Sequence, residues 1–173
     1  GLKGKNIIVT GAAGGLGSSV AKSFAASGAN LLLTDIDLKK KTLNSLSKSL
    51  NKKYNIKCHI LLLDISNRDD VSANLEISIN GFTKKIDCLV NCAAIYHKNF
   101  WEPLGTKNIE GWDKIIDINL FGTLNIIRQV LPKMIKQKSG NIISITSDSG
   151  VDTIPGESAY GISKAAINKL MVY

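Results

Sequence analysis

Short apolar segments alternate with longer stretches of helical periodicity along this chain. The segments are rich in Ile, Leu and Val and are apolar throughout rather than at every second position, as expected for strands covered on both faces. Such strands, each followed by a helix, predict an α/β fold in which a doubly wound parallel sheet has helices on both faces. The predicted strands are residues 6–10, 30–34, 57–63, 86–91 and 140–146.

Helices are predicted from apolar residues spaced three and four positions apart and from capping residues. Asn67 is a good N-terminal cap, Gly28 caps the end of the first helix, and Gly81 lies beyond the third. The long fourth helix carries an apolar stripe that includes Leu131. No linker or repeat is found, so one domain over residues 1–173 is expected. The predicted helices are residues 15–28, 38–54, 67–80, 108–136 and the segment from 157 to the chain end.

Composition excludes several classes of protein. The 173 residues are 44% apolar, and no apolar run approaches the roughly 18 residues of a membrane-spanning helix. The net charge of +8 comes mostly from lysines without interleaved aromatics, which favours a solvated surface over nucleic-acid or membrane binding. Cys58, Cys88 and Cys92 are too few for a disulfide framework, and nothing resembles a signal peptide. We therefore expect a cytoplasmic protein with reduced thiols.

A glycine-rich turn follows the first predicted strand and opens the first predicted helix. Glycines allow the backbone to approach a pyrophosphate closely, and the helix N-terminus offers N–H groups and the positive end of its dipole. The turn therefore predicts dinucleotide binding, against the alternative of a glycine-rich turn without a ligand. The candidate binding residues are Gly11, Gly14, Gly15, Leu16 and Gly17.

An acidic residue stands at the end of the second predicted strand. Asp35 lies 18 residues beyond Gly17, close to the separation of about 20 at which a carboxylate accepts hydrogen bonds from a ribose. Asp35 and the adjacent Ile36 are candidate cofactor contacts, and the carboxylate favours NAD over NADP because it repels a 2′-phosphate. The alternative leaves Asp35 as a solvated acid and assigns a 2′-phosphate to Lys39 or Lys40.

The turn resembles the Thr-Gly-x-x-x-Gly-x-Gly signature of the short-chain dehydrogenase/reductase family, through Thr10, Gly11, Gly15 and Gly17. Gly14 also fits Gly-x-x-Gly-x-x-Gly, the spacing of the longer sugar-nucleotide epimerase branch. The resemblance covers the whole chain and implies a Rossmann-like fold. Because family members continue through a sixth and a seventh strand, it also implies that C-terminal strands are missing and that the domain is C-terminally incomplete.

The resemblance implies further cofactor contacts after the third and fourth strands. The family carries an Asp at the position of Asp64 that touches the adenine amino group, although a helix cap or a surface acid is an even alternative. The segment from 91 to 94 resembles the family's Asn-Asn-Ala-Gly, with departures at Cys92 and Ala94. The candidate contacts here are Asp64, Ile65, Asn91 and Ala93.

Four residues resemble the family's catalytic set. Tyr160 and Lys164 lie four residues apart on one face of the last predicted helix, and both are also expected to contact the cofactor. Ser147 precedes Tyr160 by 13 residues, which is similar to the single-domain branch of the family. Asn119 stands where the family carries its fourth catalytic member, against the alternative of an ordinary exposed residue.

The chemistry explains these residue types. Removing a hydride from an alcohol carbon requires the hydroxyl proton to go elsewhere, and a phenol with its usual pKa of about 10 is a weak base at neutral pH. The Lys164 ammonium is expected to lower the pKa of Tyr160, and Ser147 is expected to donate a hydrogen bond to the developing alkoxide. The resemblance implies that Asn119 holds a water that links Lys164 to solvent.

The sequence therefore predicts an NAD(H)-dependent oxidoreductase that interconverts a secondary alcohol and a ketone, with Tyr160 as the general acid and base. The alternatives are a non-catalytic NAD-binding module and an NADP-dependent ketoacyl-type reductase. No metal is expected, since neither His59 nor His97 has a second ligand at suitable spacing.

Two partners are expected, a small-molecule substrate and further copies of the chain. Polar residues after the fourth and fifth strands favour a polar substrate over a steroid, and they include His97, Lys98, Asp148 and Asp152. Apolar residues on more than one face of the last two predicted helices, such as Phe121 and Met171, predict a homodimer or homotetramer.

Overall fold

Five parallel strands form one sheet in the computed structural model, which describes residues 1–96 and 111–172. Their order in this part of the chain is β3-β2-β1-β4-β5, so β1 is central and the direction of winding reverses between β1 and β4. Thr10 pairs with Thr34 and with Asn91, and the carboxyl ends of the three central strands therefore lie level. The strands are β1 (Asn6–Thr10), β2 (Asn30–Asp35), β3 (Cys58–Leu62), β4 (Cys88–Asn91) and β5 (Asn141–Ser144).

Helices connect the strands and follow the last one. Two of the connections contain a π-helical segment, so that residues 68–82 and 112–137 each form a continuous helix. The α-helices are α1 (Gly15–Ala26), α2 (Lys40–Tyr54), α3 (Arg68–Asp70), α4 (Glu76–Phe82), α5 (Trp112–Ile116), α6 (Thr123–Gln137) and α7 (Ser158–Leu170). The π-helical segments are Val71–Leu75 and Asp117–Gly122, and short 3-10 turns lie at Asp37–Lys39 and Asp148–Gly150.

Two separate cores fill the space between the sheet and its helices. On one face, Ile8 and Leu89 pack with apolar side chains of residues 71–82 and of α6. On the other face, Val9 and Leu33 pack with side chains of α1 and α2. Each such side chain contributes about 1.5–3 kcal/mol on burial, so both helical layers stabilise the sheet. This arrangement confirms the predicted α/β fold with helices on both faces.

The helices differ in two details from what the sequence suggests, one in where a helix ends and one in which side chain is buried. Gly81 lies inside α4 rather than beyond it, because the helix continues far enough to bury Phe82. Leu131, one of the apolar residues from which the fourth helix was predicted, is 41% exposed, whereas the adjacent Val130 is buried. A π-helical turn adds one residue to a helical repeat and so rotates the buried face of the residues that follow it.

Two further predicted bounds bear on the site. β5 ends at Ser144, two residues earlier than predicted, so that Ser147 lies in the loop after the strand. The predicted start of the fourth helix, residues 108–110, lies outside the described residues, and α5 begins at Trp112. None of the described helices is long and apolar enough to cross a bilayer.

Candidate functional site

A cleft of about 600 Å³ lies at the carboxyl ends of the central strands. This is the edge at which doubly wound sheets bind ligands. The cleft is lined by predicted cofactor contacts from all four of the connections that the sequence singled out: Gly11, Gly14, Asp35, Ile36, Asp64, Ile65 and Ala93.

The glycine turn is held against the start of the loop after β4. The hydroxyl of Thr10 accepts hydrogen bonds from the backbone N–H groups of Cys92 and Ala93, both at 3.2 Å. Gly11 has a φ of 61°, and a Cβ placed there would come within 2.7 Å of the Ala93 backbone. A Cβ at Gly17 would overlap the carbonyl oxygen of Gly11. Close packing between backbones therefore requires glycine at positions 11 and 17.

Gly15 is different, because packing does not require it. A Cβ placed there meets no described atom within 4 Å. Gly15 is the first residue of α1, whose first-turn N–H groups have no partners within the helix. Unpaired N–H groups, a helix dipole and the absence of a side chain together suit a pyrophosphate. The side chain of the next residue, Leu16, is exposed.

Asp35 braces the glycine turn as well as facing the cleft. Its Oδ2 accepts a hydrogen bond from the backbone N–H of Ala13 at 2.8 Å, and its Oδ1 accepts one from Ile36 at 2.9 Å. Each carboxylate oxygen has more than one lone pair, so these bonds leave capacity for ribose hydroxyls. Lys39 lines the same cleft. The cleft is thus lined both by the carboxylate and by one of the two alternative lysines.

Asp64 and Asn91 have structural partners of their own. The Oδ1 of Asp64 accepts hydrogen bonds from the backbone N–H and the hydroxyl of Ser66, at 3.0 Å and 2.6 Å. Asn91 is buried and donates to the hydroxyl of Ser144 at 3.1 Å, while its Oδ1 has no partner among the described residues. Asp64 therefore stabilises a turn at the rim of the cleft, and Asn91 connects β4 to β5 beneath it.

Tyr160 and Lys164 lie together on α7, as their spacing predicts. The Lys164 Nζ donates to the carbonyl oxygen of Ile145, just after β5, at 2.7 Å and lies 5.5 Å from the centre of the Tyr160 ring. Lys164 is only 4% exposed. Ser147 lies close enough to the Tyr160 phenol for hydrogen bonding between the two side chains to lower the pKa of Tyr160. The loop after β5 thus brings Ser147 to the face of α7 that carries Tyr160.

Asn119 is buried rather than exposed, at 1% of its accessible surface. Its Oδ1 accepts from the backbone N–H of Ile95 at 2.8 Å, and its Nδ2 donates to the Ile95 carbonyl at 2.9 Å. The same Nδ2 donates to the hydroxyl of Ser163, which in turn donates to the carbonyl oxygen of Tyr160. The amide therefore connects the start of the loop after β4 to α7.

The pKa of Tyr160 is raised from its usual value, whereas the charge of Lys164 was expected to lower it. Burial raises the pKa of Tyr160, the hydrogen bond from Ser147 opposes this, and the carboxylates of Glu157 and Asp148 raise it further. Burial also lowers the pKa of Lys164. The phenol is consequently protonated at neutral pH in this structure.

Several cleft residues were not among the predicted contacts. Cys92 lines the cleft, and burial raises the pKa of its thiol to about 11, against the opposing charge of the nearby Lys164. Lys114 lies one helical turn before Ile118, and both face the cleft. Their separation by four residues, in the helix that also carries Asn119, could have indicated from the sequence that both face the same side. His97 and Lys98 lie outside the described residues, and within the described ranges no three potential metal ligands cluster.

A family model described as "short chain dehydrogenase" matches residues 5–172. The chain is 34% identical over 166 residues to 3-oxoacyl-(acyl-carrier-protein) reductase FabG of Thermotoga maritima, a match that covers 96% of this chain and 65% of that protein. It is 31% identical over 169 residues to an uncharacterized oxidoreductase of Staphylococcus epidermidis, covering 98% of this chain and 69% of the relative.

Solved structures share the fold at comparable identity. An NAD⁺-bound xylitol dehydrogenase superposes with a TM-score of 0.88 at 27% identity, over 98% of this chain and 63% of that one. A metagenomic short-chain oxidoreductase in complex with NADP gives 0.88 at 30% identity, over 99% of this chain and 75% of that one. The chain thus spans about two thirds of the length of the proteins that it matches.

Proposed function

Because the chain belongs to the short-chain dehydrogenase family, we propose that it carries the cofactor-binding and catalytic residues of an NAD(H)-dependent oxidoreductase that interconverts a secondary alcohol and a ketone. The observation that carries this proposal is the meeting of Ser147, Tyr160 and Lys164 at the carboxyl edge of the sheet, beside a cleft with a glycine turn. The small-molecule substrate would be bound near Tyr160.

The residues of the cleft fit a dinucleotide. The unpaired N–H groups at the start of α1 suit its pyrophosphate, and Asp35 suits its adenosine ribose. Ile65 and Ala93 line the same cleft and would contact the bound dinucleotide. Bound there, the nicotinamide supplies the group that accepts or returns the hydride.

Tyr160 and Ser147 would both act on the substrate oxygen, Tyr160 by transferring a proton and Ser147 by donating a hydrogen bond. In alcohol oxidation, the phenolate oxygen of Tyr160 takes the hydroxyl proton, and in reduction the phenol donates it. The Ser147 hydroxyl hydrogen-bonds to the oxygen as negative charge develops on it. The Lys164 ammonium, fixed by the Ile145 carbonyl, stabilises the phenolate form of Tyr160 while the proton is absent.

NAD is proposed over NADP on the strength of Asp35. A carboxylate that faces the adenosine end of the cleft accepts hydrogen bonds from a ribose and repels a 2′-phosphate. The NADP-dependent ketoacyl-type reductase is the second candidate. It is supported by Lys39 on the same cleft and by the similarity to the Thermotoga maritima reductase.

Substitution of Tyr160 by Phe tests the catalytic assignment. In the full-length protein, Tyr160→Phe should lower kcat for oxidation or reduction by about 100-fold or more, because it removes the group that moves the proton. NADH affinity, measured by fluorescence titration, should change less than about threefold. Retained turnover would overturn the assignment, whereas tight NADH binding without turnover of any alcohol or ketone by the wild type would favour the non-catalytic module.

A further inference from the structure

A second polar pair lies beside the catalytic residues and has no part in the proposed mechanism. The hydroxyl of Ser149 donates a hydrogen bond to Oε2 of Glu157, and Ser149 is buried. Ser149 is two residues after Ser147, and Glu157 is three residues before Tyr160. The pair therefore joins the loop that carries one catalytic residue to the start of the helix that carries the others.

Backbone packing holds the same loop against α7. A Cβ at Gly161 would come within 2.7 Å of the Ser149 carbonyl oxygen, and one at Gly150 within 2.8 Å of the Lys164 backbone. The Nδ2 of Asn168 donates to the Gly150 carbonyl at 3.2 Å. These contacts fix the backbone of the loop but leave the side chain of Ser147 to be oriented by other groups.

Hydrogen bonds between side chains supply that orientation. A carboxylate only accepts hydrogen bonds, so the Ser149 proton points at Glu157 and the Ser149 oxygen presents its lone pairs elsewhere. Ser147 Oγ lies 3.2 Å from that oxygen and 2.8 Å from Asp148 Oδ1, two alternative acceptors for its single proton, and it accepts a hydrogen bond from the backbone N–H of Ser149 at 3.3 Å. Glu157 thus orients the Ser149 hydroxyl, and the Ser149 oxygen in turn offers the Ser147 hydroxyl an acceptor in a fixed position.

We propose that Glu157 is a positioning residue, which acts through Ser149 to hold the Ser147 oxygen beside the phenol oxygen of Tyr160. The proposal rests on the proposed function for its catalytic meaning, but its geometry is testable without a substrate. Burial, the Ser147 hydrogen bond and the nearby carboxylates all act on the pKa of Tyr160, with Ser147 lowering it and Glu157 and Asp148 raising it. Removing the hydrogen bond and removing the charge should therefore move this pKa in opposite directions.

The first test compares the pKa of Tyr160 in three variants of the full-length protein. Ser149→Ala removes the hydrogen bond and keeps the charge. Without the Ser149 oxygen, Ser147 should turn towards Asp148 and away from the phenol, which should raise the pKa of Tyr160. Glu157→Gln keeps an oxygen acceptor and removes the charge, so it should lower the pKa of Tyr160 by about 0.5 or more. Glu76→Gln is the matched control, on an exposed ion pair with Lys133, and should leave the pKa unchanged.

The pKa of Tyr160 is measured from phenolate absorbance, as the difference between each protein and the same protein carrying Tyr160→Phe. Turnover gives the second readout. Ser149→Ala and Glu157→Ala should lower kcat about tenfold or more with little change in KM, while Glu157→Gln restores kcat to within about threefold of wild type.

The two sets of outcomes separate this proposal from the proposed function. Unchanged Tyr160 pKa values in Ser149→Ala and Glu157→Gln, in proteins that bind NADH normally, would overturn the positioning role even if turnover were robust. Opposite pKa shifts in a protein that turns over no alcohol or ketone would support the positioning role of Glu157. The same result would contradict the proposed oxidoreductase activity.

Discussion

At the scale of single residues, Tyr160 shows how far the surroundings control an acid and base. Spacing alone associates it with Lys164, but burial and two carboxylates determine that the phenol holds its proton more tightly than usual. A protonated phenol suits ketone reduction at neutral pH, whereas alcohol oxidation needs the phenolate. We therefore expect oxidation to become faster relative to reduction as the pH is raised towards the pKa of Tyr160.

The role of Asp35 is separable into charge and hydrogen bonding. Asp35→Ala should weaken NAD⁺ binding about 10- to 100-fold, because it removes charge-assisted bonds to a ribose and also the bond that braces Ala13. Asp35→Asn keeps an oxygen for Ala13 and loses the repulsion, so it should bind NADP⁺ more tightly than the wild type does. Calorimetric titration with both cofactors measures this, and a wild-type preference for NADP⁺ would contradict the NAD assignment.

Residue types at fixed spacings were predictable, but loop packing was not. The glycine turn and the pair of Tyr160 with Lys164 depend on short-range spacing, and Asp35 depends on its separation from Gly17 along the chain. The Ser149 bond to Glu157 depends on how a loop folds back on a helix. No periodicity records such a contact, so it was visible only in the structure.

At the scale of elements, the π-helical segment Asp117–Gly122 positions the site. It turns Asn119 inwards to reach Ile95 and Ser163, and it presses Gly122 against Ile65, where a Cβ would come within 2.6 Å of that side chain. A search for spacings of three and four assumes a regular repeat. Such spacing therefore predicts the helix, but it does not show that Val130 rather than Leu131 is buried.

The start of α1 offers a test of cofactor binding that leaves folding intact. Gly15→Ala should leave the melting temperature unchanged or higher, because alanine favours helix by up to about 1 kcal/mol and meets open space. The added methyl should obstruct a pyrophosphate, so NADH affinity should fall about tenfold.

Matched glycine variants make this result interpretable. Gly81→Ala, also helical with open space at its Cβ, should stabilise the protein without changing NADH affinity. Gly11→Ala should lower the melting temperature by several degrees, because it combines a left-handed φ with a close backbone contact. Unaltered NADH binding in Gly15→Ala would show that the pyrophosphate lies elsewhere.

At the scale of the whole molecule, apolar side chains on the helix of residues 112–137 and on α7 remain exposed. Phe121 and Ile162 belong to the two helical segments that were expected to associate, and both are about half exposed. We predict that the full-length protein sediments as a dimer or tetramer at micromolar concentration. Because a two-fold interface contains each residue twice, Ile162→Glu should shift the protein to monomer. Ile77→Glu, exposed on α4, is the control, and a monomeric wild type would contradict the prediction.

The central place of β1 also has a consequence in time. β1 comes before the other four strands in the chain, yet its partner β4 follows both β2 and β3. At a synthesis rate of about 5–20 residues per second, a ribosome takes seconds to supply that partner. During this interval one edge of an apolar strand is unpaired, and it is open to pairing with other nascent chains. The amides of Cys92 and Ala93 can reach the Thr10 hydroxyl only after β4 has been made, so the cleft is completed at the stage at which the second edge of β1 is covered.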